Sequence, residues 1–168
     1  DEMDNEKSVN AYNTLKDWGM DILVGAVTSG CCVAVAAESQ NDNLFQITPS
    51  GSSVDCINGN ENVFQVCFTD PNQGVGAADY IGQNNVATKV AVIYDSSDVY
   101  SSGIFAKFKE EAASQSFEIV SEEAFTADNK TDFSVQLAKA QEAGADLVFL
   151  PIYYSEASLI LKQADSMG

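Results

Sequence analysis

Small hydroxyl residues follow two apolar runs of the sequence, where they could bind an anion or another polar ligand. The run at 22–24 leads to the turn at 28–30, and an alanine-rich segment typical of a close-packed helix comes next. The first run suits a strand that is buried on both faces. Ligands of open parallel α/β sheets bind at the carboxyl ends of strands, and a helix N-terminus presents unpaired N–H groups there. The turn around Ser29 is therefore a candidate site for a carboxylate or a phosphate.

A second hydroxyl-rich loop, ITPSGSS at 47–53, follows the next predicted strand. The loop brings Ser50 and Ser52 to a place equivalent to that of Ser29, after a strand of the same predicted sheet. Each residue also has a structural interpretation. Ser29 could be an ordinary helix N-cap, and the two loop serines could be turn residues.

Composition excludes several classes of function. The chain has 168 residues, 25 Asp and Glu, 8 Lys and Arg, no histidine and a net charge of -17. Such a charge repels nucleic acid and anionic membranes. The absent histidine is the residue type that most often serves as a general base or a metal ligand. A serine nucleophile also has no support, because the sequence has no Gly-x-Ser-x-Gly motif and no lysine beside Ser29. The sequence therefore makes an enzyme less expected, and it predicts no catalytic residues, no metal and no cofactor.

The four cysteines stand at 31, 32, 56 and 67, a spacing that fits no zinc site. Cys56 and Cys67 flank a turn-rich loop and could form a short disulfide, which would contribute about 3 kcal/mol. Buried free thiols are the alternative. Cys31 and Cys32 are expected to be small core residues of the helix.

Apolar runs and amphipathic segments alternate along the chain, which predicts an α/β fold with parallel sheets. The predicted strands lie at 22–24, 44–47, 63–68, 89–94, 118–123 and 147–150. The predicted helices lie at 7–18, 31–37, 71–84, 101–116, from a cap at 131 or 132 to 142, and at 155–167.

The order of several motifs is more specific than a generic α/β pattern. They are VGAVTSGCC, LFQITPSGSS, VFQVCFTDPNQG, KVAVIYDSSDVYSSG and the segment from TDFSVQLAKAQEAGADLVFLPIYY to the C-terminus. In this order they resemble the leucine/isoleucine/valine-binding family, type I periplasmic binding proteins of ABC transporters. The resemblance implies two Rossmann-like lobes that close about a hinge, both incomplete in this chain. Residues 1–69 would be part of lobe one and residues 70–168 part of lobe two.

The resemblance also implies roles for individual residues. Ser29 matches the hydroxyl that binds the α-carboxylate of the ligand, and Ser52 matches a hydroxyl that serves both carboxylate and ammonium. Ser50 matches a position whose backbone contacts the ligand. On the second lobe two aromatic residues would cover the bound ligand. The expected ligand-binding set is Ser29, Ser50, Gly51, Ser52, Tyr100 and Tyr153. The tyrosines could instead be half-buried packing residues, and Tyr154 could replace its neighbour.

By the same resemblance the function is capture of an amino acid or similar small solute, outside the cytoplasm, for a membrane permease of an ABC transporter. The location would be the periplasm or the cell surface, as a lipoprotein. The alternative is a ligand-binding sensory domain of a receptor. Uncovered sheet edges could also let this chain associate with another copy.

Overall fold

The computed structural model describes residues 2–168, and strands alternate with helices through this range. The chain divides into two compact units, Asp1–Asp70 and Pro71–Gly168. The helices are α1 (Asn5–Trp18), α2 (Ser29–Asn41), α3 (Asp70–Gln83), α4 (Val99–Ala112), α5 (Ser134–Glu142) and α6 (Tyr154–Met167). The strands are β1 (Ile22–Val24), β2 (Phe45–Thr48), β3 (Val63–Gln65), β4 (Lys89–Asp95), β5 (Glu118–Phe125) and β6 (Leu147–Phe149). A short 3-10 helix, Val54–Cys56, precedes β3.

The first unit contains a parallel sheet with strand order β1-β2-β3. Leu23, Gln46 and Val63 are neighbours in its register. Helix α2 covers this face, since Gln46 accepts a hydrogen bond from Ser39 and contacts Cys32, both on α2. This arrangement places the end of β1 and the start of α2 next to the end of β2.

The opposite face of the first sheet is exposed, so the prediction that β1 is buried on both faces was wrong. Ile22 is 60% exposed and Val24 is 72% exposed. Phe45 and Phe64 stack on this same face with ring centroids 5.2 Å apart, and both are also exposed. β1 is an edge strand, and its apolar side chains on this face are exposed. An apolar run therefore indicates a strand, but it does not indicate which elements cover the two faces of that strand.

The second unit contains a parallel sheet with strand order β5-β4-β6. Central strand β4 is buried on both faces, as its continuous apolar run predicts. Val90 and Val92 join the core cluster of α3 and α4, whereas Ile93 joins Phe133 and Ile160 on the other side. The predicted apolar face of α4 is confirmed, because all four of its members are buried: Ile104, Phe105, Phe108 and Ala112.

Helix ends follow local capping chemistry. Gly19 has a left-handed φ of 102° and ends α1 as predicted. Asp98 accepts a hydrogen bond from the Ser101 N–H and so starts α4 at Val99, two residues before the predicted start. Within residues 2–168 no helix is both long and apolar enough to cross a bilayer.

Candidate ligand-binding site

Ser29 joins the two hydroxyl-bearing loops of the first unit. Its Oγ accepts hydrogen bonds from the backbone N–H groups of Ser52 at 3.2 Å and Ser53 at 3.1 Å. The N-cap of α2 is Thr28, which makes no side-chain capping bond, and Ser29 is the first helical residue. Ser29 therefore does not act as the helix N-cap.

The loop after β2 is held in place by side chains of β2 and β3. Thr48 Oγ1 donates to the Ala26 carbonyl at 2.7 Å and accepts from the Gly51 N–H at 2.8 Å. Gln65 Nε2 donates to the carbonyls of Gly51 and Ser53. These bonds fix the loop against the turn before α2 and satisfy backbone groups that are buried there.

Gly51 has no space for a side chain. A Cβ atom at this position would lie 2.8 Å from Thr48 Oγ1 and 2.9 Å from Cys32 Cβ. Any larger residue would displace the loop from α2. Close approach of the backbone to its neighbours therefore requires glycine here.

Ser50 and Ser52 have different surroundings. Ser50 is exposed, and its hydroxyl donates to the Val27 carbonyl at 2.8 Å, a bond between the two loops rather than within one turn. Ser52 is 5% exposed, and its carbonyl accepts from the Asp70 N–H. In the part of the chain that the structure describes, the Ser52 hydroxyl has no hydrogen-bond partner.

In the second unit, Tyr100 and Tyr153 stack on each other. Their ring centroids are 4.9 Å apart, their planes are inclined by 21°, and both residues are half-buried. Tyr100 lies in the first turn of α4, and Tyr153 is the residue before α6. Tyr154 is 83% exposed, so Tyr153 is the residue that pairs with Tyr100.

Carboxylates at the start of α4 are occupied by local hydrogen bonds. Asp95 Oδ1 accepts from the N–H and hydroxyl of Ser97, and Asp98 caps the helix. Burial raises the pKa of Asp98, against the opposing effect of the Ser101 N–H. A search of residues 2–168 finds no group of three or more side chains that could hold a metal ion.

Cys56 and Cys67, the pair that could form a short disulfide, are both free thiols in this structure. Cys56 is buried and its Sγ donates to the Ser29 carbonyl, whereas Cys67 is half-buried and its Sγ donates to the Gly51 carbonyl. The two thiols are thus directed at different acceptors. Cys31 and Cys32 are buried on α2, as expected.

The structure brings the predicted serines and Gly51 together in one unit, and the predicted tyrosines together in the other. Sequence reasoning missed Thr48 and Gln65, which hold the loop. Thr48 could have been identified from the sequence, because it is a hydroxyl residue at the end of a predicted strand. Nothing in the sequence distinguished Gln65 from any other polar residue in a strand.

Comparison with known proteins places the chain in a family. A model described as "Periplasmic binding protein" matches residues 1–168. The chain belongs to the periplasmic binding protein family. This periplasmic binding protein sequence is 32% identical over 164 residues to the Leu/Ile/Val-binding protein homolog 3 of Brucella melitensis, covering 97% of this chain and 44% of the relative.

Solved structures give the same result. The leucine-binding protein LivK of Thermotoga maritima has a TM-score of 0.89 and 26% identity, over 99% of this chain and 47% of the other. LivJ of Streptococcus pneumoniae, in complex with isoleucine, has a TM-score of 0.88 and 29% identity with the same coverage. These matches confirm the predicted family and the parallel α/β class. The chain spans about half the length of the relatives it matches.

Proposed function

We propose that this chain is part of an extracytoplasmic solute-binding protein that captures a branched-chain-like amino acid, or a similar small solute, for import by an ABC transporter. The supporting observation is the bonding of Ser29 Oγ to the second hydroxyl loop, in a chain whose relatives are named as leucine-, isoleucine- and valine-binding proteins. The partners in this proposal are the solute and a membrane permease. These relatives are binding proteins and not enzymes.

The lobe assignment is part of the proposal. Residues 1–69 would contribute to lobe one, with Ser29 and the loop at 50–52 lining its side of the cleft. Residues 70–168 would contribute to lobe two, whose tyrosine pair would cover the ligand after hinge closure. Exclusion of water on closure would strengthen each polar contact with the ligand.

The chemistry of Ser29 fits a carboxylate. A hydroxyl has two acceptor lone pairs and one donor hydrogen, and the N–H groups of Ser52 and Ser53 occupy the acceptor side of Ser29 Oγ. Its O–H is then left to donate, which suits a negatively charged oxygen. A neutral donor of this kind suits a zwitterionic amino acid, because small-ligand sites use a few placed polar groups.

Isothermal titration against a panel of amino acids tests the ligand class, using the protein with both lobes complete. We expect heat of binding with leucine, isoleucine or valine. Tight binding of a sugar or a purine, together with no heat from any amino acid, would overturn the proposal.

The role of Ser29 is tested by Ser29→Ala in the same protein. Loss of the hydroxyl should weaken amino-acid binding by about 1–3 kcal/mol, roughly 5- to 150-fold in Kd. The matched control is Ser134→Ala, because Ser134 is also the first residue of a helix but is exposed. Circular dichroism checks that both variants are folded. An unchanged Kd in folded Ser29→Ala would remove Ser29 from the site.

A further inference from the structure

An asparagine–glycine pair, Asn58 and Gly59, lies in an exposed turn between the 3-10 helix and β3. The Asn60 N–H closes this turn by donating to the Ile57 carbonyl at 3.1 Å. Gly59 has a left-handed φ of 78°, a backbone conformation that favours glycine. Both residues of the pair are exposed, so water reaches them from the surface.

Two groups of this pair that can react with each other are not engaged elsewhere. Within residues 2–168, neither the Asn58 carboxamide nor the Gly59 N–H makes a hydrogen bond. Glycine brings no side chain that would crowd its backbone nitrogen. Apart from its two chain neighbours, no residue has an atom within 4 Å of the position that a Cβ of Gly59 would take. The turn therefore leaves room for the side chain of Asn58 to close a ring onto the next peptide nitrogen.

We propose that Asn58 is a site of spontaneous deamidation, a reaction to which asparagine is the prone residue type. The Gly59 nitrogen attacks Cγ of Asn58, the bond from Cγ to Nδ2 breaks, and ammonia leaves with the proton of the Gly59 N–H. The product is a cyclic imide, which water then opens. Attack of water at Cγ gives aspartate, and attack at the main-chain carbonyl carbon gives isoaspartate. Water is the only co-reactant.

The isoaspartyl product alters the contact between this turn and α2. Gln40 on α2 donates from Nε2 to the Gly59 carbonyl at 2.8 Å. In isoaspartate the main chain runs through the side-chain carbons, which inserts a methylene group directly before Gly59 and displaces its carbonyl. Both products also add a negative charge to a chain whose net charge is already -17. The isoaspartyl form is therefore less stable than the unmodified chain.

Asn60 is an internal control in the same turn. Its Nδ2 donates to the Cys56 carbonyl at 3.4 Å, so its carboxamide is held. The next residue is Glu61, whose side chain crowds the nitrogen that would have to attack. The Asn60 amide should therefore persist under conditions that convert Asn58.

Peptide mapping after incubation of the folded protein in warm, mildly alkaline buffer tests the site. Glutamyl endopeptidase cleaves after Glu38 and Glu61, which places Asn58 and Asn60 on one peptide. Tandem mass spectrometry should find two new forms of this peptide, with aspartate or isoaspartate at position 58 and the amide of Asn60 intact. Asn58→Gln should abolish both forms, because the longer side chain closes a ring far more slowly.

Three results of the mapping would overturn the inference. They are no conversion in the folded protein, equal conversion of Asn58 and Asn60, and formation of aspartate without isoaspartate, which would exclude the cyclic imide. The isoaspartyl form, separated by ion exchange, should also melt below the unmodified protein. An unchanged melting temperature would overturn the effect on the α2 contact. None of these measurements involves a bound solute, so their failure is separate from failure of the amino-acid titration.

Discussion

At the scale of single residues, Asp146 holds together the starts of two strands. Its carboxylate accepts from the N–H and hydroxyl of Thr88 and from the N–H of Lys89, at the start of β4. It stands directly before β6. The N–H of Thr88, and then that of Lys89, lowers the pKa of Asp146. The contact is therefore strongest when the carboxylate is ionised.

The sign of the pH effect follows from this lowered pKa. The folded chain binds the proton less readily than the unfolded chain, so the stabilisation is complete above the unfolded pKa of about 3.9. This stabilisation is lost as pH falls through the lower pKa that Asp146 has in the folded chain.

We expect Asp146→Asn to reduce the urea midpoint at pH 7, with the difference from wild type shrinking from pH 5 towards pH 2. Asp128→Asn, at an exposed loop position, is the control. An equal difference at both ends of the pH range would contradict this role.

At the scale of elements, α3 and α4 approach each other at a glycine. A Cβ on Gly74 would lie 2.4 Å from the Ile104 carbonyl oxygen and 2.7 Å from the Phe108 nitrogen. These are backbone atoms of α4 and cannot rotate away. We expect Gly74→Ala to lower the free energy of unfolding by about 1–3 kcal/mol.

Gly76 is the matched control on the same helix. Nothing lies within 4 Å of the position that its Cβ would take. Gly76→Ala should therefore raise the free energy of unfolding by up to about 1 kcal/mol, because alanine is the better helix former. Urea unfolding measures both variants. Equal effects of the two substitutions would mean that the helices do not approach at Gly74.

At the scale of the whole molecule, the net charge of -17 opposes compaction. Raising ionic strength from about 0.01 M to about 0.15 M shortens the Debye length from about 30 Å to about 8 Å and weakens this repulsion. The melting temperature at pH 7 should therefore rise by several degrees. Near the calculated pI of about 4.1 the net repulsion vanishes, and the same salt increase should have a smaller effect. A salt response that is the same at both pH values would exclude net charge as its cause.

The sequence by itself determined the class of fold and the order of elements. A continuous apolar run specifies β4, and residues at helical spacing specify the buried face of α4, because both signals are local. Ordered motifs also predicted the family and the loops that carry Ser29 and Ser52. These features depend on residues that are close together in the chain.

Only the tertiary structure decided which groups meet. β1 has the same apolar character as a buried strand, but its exposure depends on what covers its far face. The acceptor role of Ser29 Oγ depends on N–H groups more than twenty residues away. Cys56 Sγ donates to the carbonyl of Ser29, a residue that is far from it in the sequence. Contacts of this kind depend on how separate elements pack against each other, and local patterns in a single sequence do not record that packing.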